Sequence, residues 1–119
     1  MDYALRYRSQ FDASHQVEGV LGCDRRHGHT FWVTASIEGP LLAEEGGVRR
    51  VKLSEGVQSA LDAVTAELDR RDLNEMMIGS LPIPEVIASW IIERLPHVDT
   101  VEVEMGWRRE AGWARRAKR

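Results

Sequence analysis

The metal-ligating side chains of this sequence are concentrated in residues 11–31. That stretch holds three of the four histidines, His15, His27 and His29, together with the single cysteine, Cys23. His27 and His29 are two residues apart, and side chains with that spacing in a β-strand project from one face. Two imidazoles on one face, joined by a third from a neighbouring strand, suit a catalytic zinc site with three nitrogen ligands and an open fourth position. The pattern therefore predicts Zn²⁺ at these histidines, with the open position polarising a substrate oxygen or binding water.

Cys23 lies four residues before His27, and its position is compatible with three roles. It is a fourth zinc ligand, a buried apolar filler or a catalytic thiolate. A nearby metal cation and the adjacent Arg25 and Arg26 would lower the pKa of the thiol and favour the thiolate. The residues alone leave all three roles open.

Composition sets the broad class of the protein. The chain has 119 residues, of which 43% are hydrophobic and 29% charged, as expected for one soluble globular domain over residues 1–119. A lone cysteine cannot form an intrachain disulfide, and no secretory signal or long apolar run is visible, so we expect a cytoplasmic protein without a membrane partner. The net charge of −3 gives no argument for a nucleic-acid partner.

Cations are concentrated in residues 107–119. This segment has six cations and one acid, Glu110; the cations are Arg108, Arg109, Arg115, Arg116, Lys118 and Arg119. One interpretation is a solvated terminal tail. The other is a contact for an anion, either a phosphorylated substrate or a neighbouring subunit.

Two alternating patterns position the imidazoles. Residues 3–15 are apolar at one parity and polar at the other, which predicts a half-buried strand that ends at His15 on its apolar side. A second strand of the same kind starts near His27, and the histidines again continue its apolar face. Residues 16–26, with two glycines and a charged run, predict a loop. The expected arrangement is a pair of antiparallel strands whose buried face ends in a cluster of imidazoles.

The rest of the chain predicts helices grouped between strands. The predicted elements are a turn at 44–47, a short strand at 48–53, a helix from an N-cap at Ser54 to about Arg70, a helix from Pro82 or Pro84 to Pro96, a strand at 101–107 and a weak strand at 112–117. Residues 72–74 are expected to leave the first helix. This order favours an α+β fold in which helices cover one face of an antiparallel sheet.

Several motifs resemble one known family. His15 followed by Cys23-x-x-x-His27-Gly28-His29 is similar to the signature of the 6-pyruvoyltetrahydropterin synthase and 6-carboxytetrahydropterin synthase family. Residues 68–74, Leu-Asp-Arg-Arg-Asp-Leu-Asn, resemble its Leu-Asp-His-x-x-Leu-Asn segment. Pro-Ile-Pro-Glu at 82–85 resembles its Pro-Thr-x-Glu segment, and Val-Glu-Val-Glu at 101–104 resembles the strand that carries its pterin-holding glutamate.

The resemblance implies a fold, an assembly and a set of site residues. The fold would be the tunnelling fold, an antiparallel sheet with two helices on one face, assembling as a homo-oligomer (trimer or hexamer) into a multimeric barrel with active sites between subunits. His15, His27 and His29 would bind zinc, and Cys23 would act as the general base. Glu104 would hold the pterin by accepting two parallel N–H bonds. Asp69 and Arg70 occupy the positions of the family's aspartate and proton-carrying histidine.

The resemblance also implies a reaction. The usual substrate is the small-molecule pterin 7,8-dihydroneopterin triphosphate, from which the eukaryotic branch eliminates triphosphate to give a pyruvoyl pterin. The bacterial branch makes 6-carboxy-5,6,7,8-tetrahydropterin, with loss of triphosphate and acetaldehyde, on the route to queuosine and other 7-deazapurines. The short chain and the compact loop between Cys23 and His27 favour the bacterial type, a carbon-oxygen lyase.

The chain departs from the family at Arg70, where the proton-carrying histidine is expected. Arginine stays protonated near pH 7 and cannot carry protons. Ile83 replaces a threonine, and Met105 follows Glu104 where the family often has threonine. Three functions are therefore considered: a 6-carboxytetrahydropterin synthase-like lyase, a diverged member acting on another pterin or purine with Arg70 stabilising charge, and a non-catalytic zinc- or pterin-binding protein.

Overall fold

The computed structural model describes residues 2–19, 25–41, 43–45, 48–50, 56–106 and 110–116. The elements are β1 (Tyr3–His15), β2 (His27–Gly39), β3 (Ala43–Glu45), β4 (Val48–Arg50), α1 (Val57–Leu68), α2 (Leu73–Met76), α3 (Pro84–Ile92), β5 (Thr100–Met105) and β6 (Glu110–Arg115). Cys23 and Ser54 lie outside the described residues. The N-cap predicted at Ser54 is wrong, because α1 begins at Val57 and its N-cap is Gly56. Among the described helices, none has the length and apolar composition needed to cross a membrane.

Four strands form one antiparallel sheet in the order β1-β2-β5-β6. β1 and β2 pair along their whole length, from Tyr3 opposite Gly39 to His15 opposite His27. β3 and β4 form a separate two-stranded sheet. The predicted α+β fold with an antiparallel sheet is confirmed, and the register places the ends of β1 and β2 that carry histidine side by side.

The helices and the odd-numbered positions of β1 and β2 enclose the core. Phe11 and Phe31 stack on this face with ring centroids 5.0 Å apart. The largest fully buried apolar side chains come from the strands and from all three helices, and include Phe11, Phe31, Leu61, Leu68, Leu73, Ile87 and Ile91. Even-numbered positions lie on the other face, where Trp32 is 43% exposed. Burial of one face only is what produces the period of two in the sequence.

Several element ends differ from the prediction. The first helix ends at Leu68 because Asp69 is extended and Arg70 has a φ of 60°. Residues 72–74 leave the first helix, as predicted, but they also begin another one, since the Asp72 carboxylate caps α2 by accepting the N–H of Asn74. The turn predicted at 44–47 is wrong for Glu44 and Glu45, which pair with β4; the rest of that turn lies outside the described residues. The second predicted helix ends at Ile92, before Pro96.

The weak last strand is present as β6. It packs closely on α3 because residue 112 is glycine: a Cβ there would lie 2.4 Å from the backbone nitrogen of Glu85. Two of the terminal cations, for which one interpretation is a solvated tail, are exposed but also contact other residues of the chain. Arg115 pairs with Glu38 at 3.5 Å, and the Arg116 guanidinium donates to the carbonyls of Val98 and Leu95 at 2.9 and 2.8 Å. Residues 107–109 and 117–119 lie outside the described residues.

Candidate metal centre

The three predicted histidines meet at one end of the sheet, on its helix-covered face. His15 lies opposite His27 across the β1–β2 pair, and His29 is opposite Ala13. The ring centroids are 4.7 Å apart for His15 and His27, 4.9 Å for His15 and His29, and 4.4 Å for His27 and His29. One ligand atom from each ring lies within 4.8 Å of the others. The predicted convergence is confirmed, and the three imidazoles can hold one metal ion.

Backbone carbonyls fix the protonation of two of these rings. Nδ1 of His15 donates to the carbonyl oxygen of Pro82 at 2.8 Å, and Nδ1 of His27 donates to that of Arg25. Because a carbonyl oxygen only accepts, each Nδ1 carries the proton and each Nε2 keeps its lone pair. Both Nε2 atoms are buried without a hydrogen bond in the described part of the chain. This is how metal-binding histidines are usually oriented.

Burial keeps His15 in its ligand form. His15 is 1% exposed and His29 is 6% exposed. Desolvation by burial lowers the pKa of His15; the hydrogen bond to Pro82 raises it, and the charge of His27 lowers it further. The imidazole is therefore neutral near pH 7, as a metal ligand must be. Buried ring nitrogens that lack a hydrogen bond are unfavourable, and a bound cation would satisfy them.

The segment around α2 holds both strand ends that carry the histidines. The Asn74 side chain accepts the N–H of Gln16 at 2.8 Å and donates to the carbonyl of Gln16 at 2.9 Å. Asp72 forms an ion pair with Arg26 and a backbone bridge with Ser14. Two neighbouring side chains, Asp72 and Asn74, thus hold the residues next to His15 and His27 in position. Sequence reasoning missed these roles of Asp72 and Asn74, although aspartate is a preferred N-cap residue and so could have signalled the start of α2.

Asp69 and Arg70, both predicted to be catalytic, diverge in the structure. The Asp69 carboxylate accepts the N–H of Asp12 at 2.9 Å and faces a groove beside α1. Arg70 instead lines a cavity of about 510 Å³ that His29 also reaches. The backbone of Arg70 is held at a φ of 60° by donation of its N–H to the carbonyl of Asp12 at 2.6 Å. That cavity is lined by Asp12 and Thr30 from even-numbered strand positions, so it opens on the face opposite the imidazoles, and the structure brings neither Asp69 nor Arg70 to them within one chain.

Glu104, the predicted pterin ligand, lies on the other face of the sheet from the imidazoles of its own chain. The register pairs Glu104 with the partly exposed Trp32 and pairs Met105 with Phe31 on the imidazole face. The physical reason is the alternation of side chains along a strand. That alternation was visible in the sequence, where Val101, Val103 and Met105 share the apolar parity. Within one chain, the structure therefore does not bring Glu104 to the metal centre.

Cys23 lies outside the described residues, so its proposed role stays a prediction. The described parts of the chain end at Gly19 before it and resume at Arg25 after it. His97, the fourth histidine, is an exposed residue beyond α3 and does not join the cluster.

Comparisons with known proteins agree with this fold. A sequence model of the family "6-pyruvoyl tetrahydropterin synthase" matches residues 4–106. The structure of 6-pyruvoyl tetrahydropterin synthase from Caenorhabditis elegans is similar over 98% of this chain and 97% of its own, with a TM-score of 0.78 and 14% identity. An uncharacterised protein from Wolinella succinogenes (98% and 99% covered, TM-score 0.68, 16% identity) is also similar. So is the 6-pyruvoyl tetrahydropterin synthase of Plasmodium falciparum (98% and 99%, 0.66, 14%). The predicted tunnelling fold is confirmed by this similarity.

Proposed function

Because the chain belongs to the 6-pyruvoyl tetrahydropterin synthase family, we propose that it is a zinc-dependent lyase of the 6-carboxytetrahydropterin synthase type. Its substrate would be 7,8-dihydroneopterin triphosphate, and its product 6-carboxy-5,6,7,8-tetrahydropterin. The observation that carries this proposal is the cluster of three imidazoles, whose ligand atoms lie within 4.8 Å of one another at the end of β1 and β2. A family fold alone would not indicate retained chemistry.

The donor set fits zinc. Three imidazoles provide three nitrogen ligands, and the fourth position of a tetrahedral ion remains for a substrate oxygen. Bound zinc would polarise that oxygen and so acidify the neighbouring C–H bonds. The carbonyls of Pro82 and Arg25 keep the rings of His15 and His27 in the orientation that this requires.

The proposed acid–base chemistry depends on Cys23. As a thiolate it would remove a proton from the substrate side chain. Asn74 and Asp72 hold Gln16 and Arg26, so they fix the chain on both sides of the segment that carries the thiol. Arg70 cannot accept a proton, so it would not take the part of the family's proton-carrying histidine.

The proposed homo-oligomer supplies what one chain lacks. Glu104 faces away from the imidazoles of its own chain, so it would hold a pterin only at a site to which a neighbouring chain contributes. Substitution Glu104→Gln is expected to raise KM for the pterin, because the amide cannot accept the two N–H bonds that a carboxylate accepts. Unchanged kinetics in this variant would remove Glu104 from the proposed site.

The direct test uses zinc-loaded protein and 7,8-dihydroneopterin triphosphate. Zinc content is measured by elemental analysis, and substrate and products by mass spectrometry. We expect one zinc per chain and formation of 6-carboxytetrahydropterin with acetaldehyde and triphosphate. His15→Asn should lose zinc and activity, whereas the matched control His97→Asn should keep both. Absence of substrate consumption by zinc-loaded wild-type protein would refute the proposal.

A second candidate function is favoured by the geometry of Asp69 and Arg70. The Asp69 carboxylate is bound to the backbone of Asp12, so it does not orient a neighbouring proton carrier. A diverged enzyme acting on another pterin or purine would need no proton carrier at position 70. Arg70→His separates the two candidates: a gain of 6-carboxytetrahydropterin formation indicates that the native reaction differs from it, and a loss indicates that Arg70 serves it.

A further inference from the structure

A cavity on the even-numbered face of β1 and β2 is lined by two guanidinium groups that the proposed metal chemistry does not need. Arg70 and Arg71 line this space of about 510 Å³, together with Asp12, Thr30 and His29. We propose that Arg70 and Arg71 form an anion subsite that binds the phosphate groups of the ligand. The identity of that ligand as a triphosphate ester rests on the proposed function; the preference for a polyphosphate rests on the cavity itself.

The two guanidinium groups are not neutralised within the described residues. Neither takes part in an ion pair or side-chain hydrogen bond there, and both side chains belong to exposed residues. Neighbouring carboxylates already have partners. Asp12 accepts the Thr30 hydroxyl at 2.6 Å, and Asp72 pairs with Arg26. Two cations against the single carboxylate of Asp12 leave the cavity lining with a net positive charge.

The backbone holds both arginines in place before any ligand arrives. The N–H of Arg70 donates to Asp12, and the carbonyl of Arg71 accepts the N–H of Ser14 at 3.0 Å. Arg70 keeps a φ of 60°, which residues other than glycine seldom adopt and which is concentrated at functional sites. Consecutive guanidinium groups on a fixed backbone offer forked donors that match phosphate oxygens. Because the backbone is already fixed, less of the chain has to become ordered when phosphate groups bind.

The face on which this subsite opens relates it to Glu104 and not to the imidazoles of the same chain. Asp12 and Thr30 line the cavity from even-numbered positions, the same parity as Trp32, which pairs with Glu104. A ligand with its phosphate groups in the cavity can therefore extend along the face of the sheet that carries Glu104. An anion subsite also accounts for a permanently protonated side chain at position 70, since charge, and not proton transfer, is what phosphate binding requires.

The test measures binding of inorganic triphosphate by isothermal titration calorimetry to the protein as purified. The double variant Arg70→Gly and Arg71→Gln removes both guanidinium groups, and glycine tolerates the positive φ at position 70. We expect at least a tenfold loss of affinity in the double variant, and wild-type binding that weakens with ionic strength. Lysine at both positions should restore part of the affinity. Zinc content is measured before and after titration, so that direct binding of triphosphate to metal is accounted for.

Arg94→Gln is the matched control, because its guanidinium lies 3.4 Å from the centre of the Trp90 ring and outside the cavity. Equal affinity in the wild type and the double variant would overturn the inference, as would an equal loss in Arg94→Gln. The same experiments distinguish failure of the proposed function from failure of the proposed anion subsite. Arginine-dependent triphosphate binding without turnover refutes the function alone; turnover with an unchanged KM in the double variant refutes the subsite alone. Affinity for unphosphorylated dihydroneopterin should be unaffected by these substitutions.

Discussion

Substitution Gly112→Ala should disturb both the packing of β6 on α3 and the metal centre. The added Cβ would lie 2.4 Å from the backbone nitrogen of Glu85 and 2.8 Å from its Cα. Ordinary contacts begin near 3.4 Å, so the start of α3 would have to move by about 1 Å. Because these are backbone atoms, no side-chain rotation relieves the clash. Overpacking of this kind costs about 1–3 kcal/mol, and we expect the upper end of that range.

The consequence for metal binding follows from the neighbouring Pro82. Its carbonyl oxygen accepts Nδ1–H of His15 at 2.8 Å and lies just before α3. A shift of the helix start would loosen this bond, and loss of such a partner typically costs about 10–100-fold in metal affinity. The assays are urea unfolding of metal-free protein and zinc titration against a competing chelator. For a chain of this size, a decrease of about 3 kcal/mol in the free energy of unfolding lowers Tm by about 10 °C.

Gly106→Ala is the control for this experiment. Its Cβ would have ordinary contacts, the nearest 3.6 Å from Nε1 of Trp32 and 3.7 Å from the carbonyl oxygen of Thr30. Its unfolding free energy should stay within about 0.5 kcal/mol of wild type. The packing argument fails if Gly112→Ala is equally stable. If Gly112→Ala is destabilised but binds zinc with unchanged affinity, the proposed coupling through Pro82 is wrong.

Three further predictions follow from the same contacts. Asn74→Ala removes both side-chain hydrogen bonds to Gln16, so it should lower the free energy of unfolding in urea by about 1–3 kcal/mol and lower kcat. The control Glu75→Ala, at an exposed position of the same helix, should change neither quantity. Arg70→Gly relieves the strain of the positive φ and should raise the free energy of unfolding by about 1 kcal/mol. A lower free energy of unfolding would show that the contacts of the Arg70 side chain stabilise the fold by more than the strained backbone destabilises it. The lowered pKa of His15 means that unfolded protein binds more protons than folded protein in acid, so metal-free protein should lose stability as pH falls through the ordinary histidine value near 6.5. His15→Asn should flatten that pH dependence, and an unchanged slope would contradict it.

Comparison of the two faces of the sheet shows why some site residues could be predicted and others could not. His27 and His29 were predictable because a strand with one buried face imposes a period of two, and both histidines continue the apolar parity. Glu104 has the opposite parity, so the strand pattern places it on the other face of the sheet, and its role as a pterin ligand stays a prediction that requires a neighbouring chain. Local alternation is a direct consequence of backbone geometry, whereas a motif match is not.

The sequence by itself determined the α+β class, the two long strands and the grouping of three imidazoles at their ends, because these follow from periodicity and pairing. Tertiary structure alone decided what surrounds that cluster. The carbonyls of Pro82 and Arg25 orient the rings, and Asn74 fixes the backbone beside His15. The contacts of Pro82 and Asn74 join residues far apart in the chain, and all three contacts use backbone atoms that every residue type carries. Side-chain identity cannot reveal them, so the same residues that predict a metal site leave its supporting contacts to the fold.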